Sequence, residues 1–432
     1  MCDSFVALPS TTARQSMIFA KSADCQLNEA HYLVHLPHTR HVKGEAVRVT
    51  CVVIPQAEET YEVLLSKSFW TYGGEIGINE YGLSIGNEAV YTTLQNEEKV
   101  EGVVGTDLLR LALERARNAR EAIEVISSLL KQFGQGGNCE LPGNSHFDIN
   151  YLLVDPKEAW VLETAGREWA ARQVREIGSI SNGFIIGKDW DQSSVGDQAH
   201  ELDWNSTYGD QSWIPKLGVR ERQSSSYNCL AAGKGHLTVQ SFFAALRSHG
   251  DMKDPTKGNV IRTLCAHSGV PNIRAWQATG AMVTEVRGEE KIAWATGTSG
   301  TCLSIFKPIF LGVDLPDIGP MPTEHFNPAT MWWQHELLHR RAMADFEQVQ
   351  PEIQADFAAV EAEFLAEAEI ATQGTSTQKK ELMDYCFQKA RYAEQKWIDR
   401  LAKRQDLKFA RPEICEMWKT ANSEAGITGM PA

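Results

Sequence analysis

Cys2, directly behind Met1 in Met1-Cys2-Asp3-Ser4-Phe5-Val6-Ala7-Leu8, is the residue with the most chemistry to offer. Small residues behind an initiator generally permit its removal. The expected product is a chain whose first residue carries both a thiol and an α-amine. A free thiol titrates near ~8.5 and an α-amine near ~7.7–8, so at neutral pH each lies within about two units of its working form. The amine then serves as the base that raises the thiolate fraction, and no separate histidine is required. The β-branched and aromatic run behind Cys2 predicts a strand that anchors the terminus.

Three further groups bear on the same question. Lys21-Ser22-Ala23-Asp24 follows a second predicted strand and offers a cation and a carboxylate three residues apart. A cation beside a thiol lowers its pKa, and an acid holds an ammonium group. Read without Cys2, the same letters describe a solvated turn. Gly77-Ile78-Asn79-Glu80-Tyr81-Gly82-Leu83-Ser84-Ile85-Gly86-Asn87-Glu88 reads as a turn, a strand and an asparagine at the strand's far end, whose amide can donate to an oxyanion. His335-Glu336-Leu337-Leu338-His339 fits the zinc-protease pattern, two histidines one helical turn apart with a glutamate between. It is flanked by Trp332, Trp333, Arg340 and Arg341, and no third-ligand motif follows, so a packed helical stripe explains it as well.

The elements that would position these groups alternate up to about residue 330. Segments 2–8, 16–20, 48–54, 61–66 and 82–86 read as strands, and 106–133 reads as helix. Asn118 followed by Glu121 forms a capping box that restarts that helix. Segments 150–154 and 159–163 form a hairpin around Asp155-Pro156-Lys157, and 170–174 adds a strand. Residues 188–226, rich in Asp, Ser, Gly and Trp, read as a long surface loop. A helix over 240–248 and strands over 281–285 and 291–295 complete this part. Beyond the proline-rich 312–328 the texture is helical only, over 331–346, 353–371 and 379–404. The expected division is a main domain over 2–328 and a helical extension over 329–415.

Composition narrows the class. The 432 residues carry a formal net charge of −14, which argues against a nucleic-acid partner and against docking on anionic lipid. No apolar run is long enough to predict a membrane span. Nine scattered cysteines without a CxxC pair, and no leader-like start, predict reduced thiols and a cytoplasmic location.

Six blocks in order resemble secernins and the related C69-type dipeptidases, which are N-terminal nucleophile (Ntn) hydrolases. They are Cys2-Asp3-Ser4-Phe5-Val6-Ala7-Leu8-Pro9; Ile78-Asn79-Glu80 with Ile85-Gly86-Asn87-Glu88-Ala89-Val90; Gly134-Gln135-Gly136-Gly137-Asn138-Cys139; Glu158-Ala159-Trp160-Val161-Leu162-Glu163-Thr164-Ala165-Gly166; Thr296-Gly297-Thr298 with Phe306-Lys307-Pro308; and Trp332-Trp333-Gln334-His335-Glu336-Leu337-Leu338-His339-Arg340. The resemblance implies an α+β fold, a four-layer αββα sandwich with a C-terminal helical appendage. It makes Cys2 the nucleophile and the histidine block a regular part of the family instead of a zinc site.

By comparison with related cysteine Ntn hydrolases, the catalytic set is Cys2, Lys21, Asp24, Asn87 and Asn182. Lys21 takes a position often held by arginine, Asp24 that of the acid positioning the amine, and Asn87 that of an oxyanion donor. Asn182 adds a further amide near the nucleophile. Two departures stand out. The family turn Lys-Asn-Ser-Asp-Arg is here Lys21-Ser22-Ala23-Asp24-Cys25, and Ser-Ser-Gly-Arg is here Ser224-Ser225-Ser226-Tyr227, with Arg222 nearby. Tyr227 and Arg222 are therefore the expected substrate-binding residues.

The implied function is hydrolysis of a dipeptide or other small amide through a thioester, with no metal or organic cofactor. A regulatory protein without turnover, acyl transfer from the same Cys2 and, last, a zinc protease are the alternatives. The expected partner is a small peptide or amide, not nucleic acid or membrane, and self-association is left open.

Overall fold

The computed structural model describes residues 2–94, 101–141, 143, 145–196, 201–257, 263–269 and 276–431. The chain opens with β1 (Cys2–Ala7), β2 (Met17–Gln26) and β3 (His31–Leu36). Two short ladders follow, in which β4 (Thr39–Arg40) pairs with β7 (Glu59–Thr60) and β5 (Ala46–Arg48) with β6 (Val53–Pro55). Next come β8 (Val63–Ser68), β9 (Ile76–Asn79), β10 (Ser84–Val90), α1 (Gly105–Arg115) and α2 (Ala119–Phe133). Strands β11 (Asp148–Val154), β12 (Ala159–Ala165), β13 (Glu168–Val174), β14 (Ile177–Ile180) and β15 (Gln192–Ser193) precede α3 (Trp204–Tyr208), α4 (Val219–Ala232) and α5 (Val239–Leu246). Then β16 (Trp276–Arg287), β17 (Glu290–Ala295) and β18 (Lys307–Phe310) lead into α6 (Met331–Ala342), α7 (Phe346–Ala371), α8 (Ser376–Ala402) and α9 (Pro412–Ala425).

Two antiparallel sheets result. One has the order β14-β1-β2-β16-β17-β18, the other β15-β13-β12-β11-β10-β9-β8-β3. They face each other where β10 crosses β1 and β2, and the approach is close. A Cβ on Gly86 would lie 2.5 Å from Ser4 Oγ and 2.9 Å from Lys21 Cδ, so only glycine fits there. Helices α1 and α2 cover the outer face of the larger sheet, and α4 and α5 that of the smaller. This is the expected αββα sandwich. All six residues of β1 are buried because both of its faces are covered. Phe5 stacks on Phe242 of α5 at 5.3 Å on one side, while Ser4 donates to Glu88 across the inter-sheet layer on the other. Helices α7 and α8 pack against β18 and bury Phe357, Phe364 and Trp397.

The helix restart at Asn118 is present: its side chain accepts from the Glu121 amide. Three expectations need correction. The apolar segment 48–54 does not form one strand; it is split between the edges of a two-stranded ladder, and Val53 is exposed. Residues 188–226 hold α3 and the start of α4, because Asp203 caps α3 and buried Trp204 and Val219 anchor the chain. Lys21 and Asp24 lie inside β2, not in a turn beyond it, since β1 and β16 pair with that strand on either side.

Candidate active site

The terminus of β1 sits on the floor of a cleft of about 270 Å³. Cys2 lies opposite Ala23 in the β1–β2 ladder, so Cys2, Ser4, Lys21, Ala23 and Cys25 share the face turned to the second sheet. The Cys2 nitrogen donates to Asn182 Oδ1 at 2.9 Å. That oxygen also accepts from Arg222 Nη2 at 2.6 Å, and Asn182 Nδ2 donates to the Ala89 carbonyl at 2.9 Å. Asn182 therefore ties the first strand of one sheet to β10 of the other.

Lys21 is fully buried and its Nζ lies 3.2 Å from Glu75 Oε2. Burial alone would lower its pKa, but Cys2, Glu75 and Glu88 outweigh that and keep the ammonium charged. Burial pushes the Cys2 thiol up, with Lys21 opposing. Asp24 lines the cleft and accepts from Ser22 Oγ at 3.2 Å; burial raises its carboxyl to about 7. Asn87 also lines the cleft, and its Nδ2 donates to the Gly74 carbonyl at 3.0 Å. An amide NH₂ carries two donors, and that bond uses one.

The structure brings Cys2, Asp24, Asn87 and Asn182 to the cleft and sets Lys21 directly beneath it. It does not bring the expected substrate-binding pair there. Arg222 is fully buried behind Cys2, donating to the Cys2 carbonyl at 3.2 Å and to Asp3 Oδ2 at 2.7 Å. It holds the strand end. Tyr227 is 46% exposed on α4 and takes no part in the cleft wall, because helical periodicity turns it away from Arg222 and Ser226, which face inward.

Sequence reasoning missed Glu29, Glu75 and Glu88. Burial raises Glu29 to about 7 and Glu88 to about 8. Strand alternation was the available signal for Glu88, which shares a face with Gly86. Nothing local marks Glu75. Trp70, Tyr91 and Trp213 complete the walls, the last two stacked at 4.4 Å.

The zinc-protease pattern fails on geometry. Glu336 is buried and engaged by Ser299 and by Arg340 Nε at 2.6 Å, with His339 Nδ1 at 3.1 Å. His335 contacts the Ser299 carbonyl at 2.8 Å and Glu394 at 3.2 Å. A glutamate so committed cannot serve as a water-activating base. A larger hollow of about 1640 Å³ lies between β16–β18 and α7, and its lining holds no cysteine.

Residues 10–180 match the model of Peptidase family C69. A dipeptidase of Bifidobacterium longum (strain NCC 2705) is 27% identical over 214 residues, covering 44% of this chain and 36% of that protein. The match thus spans little more than a third of the relative's length. Among solved structures, the C2A mutant of conjugated bile acid hydrolase from Clostridium perfringens is 11% identical, covering 72% of this chain and 92% of that one, at a TM-score of 0.44. An N-acylethanolamine-hydrolyzing acid amidase ortholog from Caenorhabditis elegans is 10% identical over 65% and 92% of the two chains, at a TM-score of 0.34. Superpositions this loose carry no argument, and the fold stands on this chain's own sheets. The likeness to Peptidase family C69 is carried by residues 10–180.

Proposed function

We propose that this chain, once Met1 is removed, is a cysteine amidohydrolase that cleaves a small peptide or related amide. The carrying observation is the Cys2 nitrogen held 2.9 Å from Asn182 Oδ1 on the floor of a cleft. A free amine there sits on the same residue as a thiol that burial keeps protonated. The amine takes the thiol proton as sulfur attacks the scissile carbonyl carbon. The oxyanion accepts from Asn87 and a backbone N–H. The resulting ammonium passes its proton to the leaving nitrogen as the C–N bond breaks, which leaves a thioester. Water then attacks the thioester, giving a proton to the amine, and the thiol is restored as the acid departs.

The walls carry Asp24, Glu29, Glu75 and Glu140, and no lysine or arginine among the described lining residues. This charge supports a substrate bearing an ammonium group next to an aromatic or apolar side chain, in keeping with the two lost family arginines. The dipeptidase name of the Bifidobacterium longum relative points the same way.

Intact mass of the purified protein, before and after iodoacetamide, and assay on aminoacyl amides and their N-acetylated counterparts test the reading. The expected result is a chain beginning at Cys2, one alkylation mapped there, and hydrolysis of the free-amine substrates alone that Cys2→Ala abolishes. A mature chain that keeps Met1, or full turnover in Cys2→Ala, overturns it.

A further inference from the structure

We propose that His249, Cys265, His267 and Cys302 form a closed, four-coordinate zinc site. One ligand atom from each lies within 4.8 Å of all the others. His267 Nε2 is 3.2 Å from His249 Nε2, 3.3 Å from Cys265 Sγ and 3.3 Å from Cys302 Sγ. Zinc bonds of ~2.0–2.1 Å to nitrogen and ~2.3 Å to sulfur give a tetrahedron with edges of roughly 3.3 Å between nitrogens and roughly 3.5 Å between nitrogen and sulfur. The observed separations are close to those edges. Two thiolates and two neutral imidazoles are the donor set that suits zinc, and four protein ligands leave no open position, which marks a structural role.

Charge and burial agree with this. Cys265, His267 and Cys302 are buried and His249 is half-buried, which leaves one side for entry. Binding releases the two thiol protons to solvent, and the two thiolates then cancel the charge of the ion, so a neutral unit is what becomes buried.

The ligands come from three segments that are far apart in sequence and already fixed. The Cys265 amide donates to the Ser248 carbonyl at 3.2 Å, the Ala278 amide to Ala266 at 2.9 Å and the Gly300 amide to Ala278 at 2.8 Å. Arg247 holds the turn bearing Cys302 through the Thr301 and Ser304 carbonyls. Phe346, at the start of α7, places its ring edge-on to both imidazoles, at 5.5 Å from His249 and 5.0 Å from His267. The ion would staple the end of α5, the approach to β16 and the turn after β17 beneath the C-terminal helices.

The test uses the full chain, purified from zinc-supplemented medium and separately stripped with chelator under reducing conditions. Metal analysis should give about one zinc per chain, and X-ray absorption should show two sulfurs near ~2.3 Å with two nitrogens near ~2.0–2.1 Å. Cobalt(II) added to the stripped protein should give thiolate charge-transfer bands. Cys265→Ser and Cys302→Ser should abolish stoichiometric zinc. Should those variants not fold, His249→Ala, at the half-buried corner, decides: it should keep native circular dichroism and Cys2 alkylation while losing stoichiometric zinc, because one of four ligands is gone. A reduced wild-type chain that takes up no zinc, bound zinc without sulfur ligands, stoichiometric zinc in folded His249→Ala, or a Cys265–Cys302 disulfide that excludes the metal would each overturn the proposal.

Discussion

The cleft around Cys2 and the buried face of α6 both take charge out of water, and they organise it in opposite ways. On α6 the buried Glu336 and Arg340 are spent on each other and on other parts of the protein. Glu336 accepts from Ser299 and Arg340, and Arg340 goes on to Asn422, Asn28 and the Leu27 carbonyl. In the cleft, carboxyls from β2, the Glu29 segment and the approach to β9 surround a hollow instead of closing on one another. The lesson is that chemistry is marked by groups gathered around space, and a motif whose glutamate is consumed by a serine and a buried arginine is a fastener. His335-Glu336-Leu337-Leu338-His339 has the letters of a metal site and the wiring of a fastener.

The strongest way to break this comparison is Arg340→Ala. It leaves Glu336 buried without its cation, a loss that costs about 3–5 kcal/mol when one partner of a buried pair is removed. Denaturant unfolding should show that loss, while the Cys2 alkylation rate well below the melting temperature stays at the wild-type value. A change under about 1 kcal/mol would mean α6 is not an anchor. Asn87→Ala is the mirror experiment. Loss of one oxyanion donor costs about 2.7–4 kcal/mol of barrier, so turnover should fall ~10²–10³-fold while Cys2 remains alkylatable. Wild-type kcat in a folded Asn87→Ala would remove Asn87 from the mechanism.

How much of this was legible in the sequence depended on how local the cause was. Cys2, Lys21, Asp24, Asn87 and Asn182 were all named from the sequence and its resemblance, and the fold brings them together at one strand end. The Asn118 cap was legible because capping is settled within four residues. The span 48–54 misled because an apolar run does not say whether its neighbours will pair with it. Arg222 was misread as a substrate ligand because its partners, Asp3 and the Cys2 carbonyl, are more than 200 positions away and only the fold supplies them. Shorter but still non-local separations hid Glu75, 54 positions from Lys21, and spread the four proposed zinc ligands over 249–302, where no CxxC spacing announces them.

Acidity sharpens the comparison, because the two regions store opposite pH dependences. Burial holds Asp24 and Glu29 at about 7 and Glu88 at about 8, above an unfolded carboxyl at ~3.9–4.3. Their contribution to stability is complete below the unfolded value and is lost as pH rises through about 7–8. Burial would raise Glu336 as well, but Arg340 and His339 outweigh it and hold it at about 2. Its contribution is present above the unfolded value and is lost as pH falls towards about 2. Melting temperature followed from about pH 3 to about pH 9 should therefore lose part of its alkaline decline in Glu88→Gln and part of its acid decline in Glu336→Gln. Both variants flattening the same limb would erase the distinction.

The smallest effect is the most discriminating for the limits of the cleft. Tyr227 stands where the resemblance would put an arginine and was therefore expected to be a substrate ligand, whereas the structure leaves its ring on the exposed side of α4. An exposed side chain with no such role changes stability by no more than about 0.5 kcal/mol on truncation. Tyr227→Ala should accordingly leave kcat, KM and melting temperature where they are. A selective rise in KM with kcat unchanged would show that binding energy lost with the phenol is uniform between ground and transition states. That outcome would extend the site along α4, past Arg222, and the cleft walls drawn here would then be only its inner half.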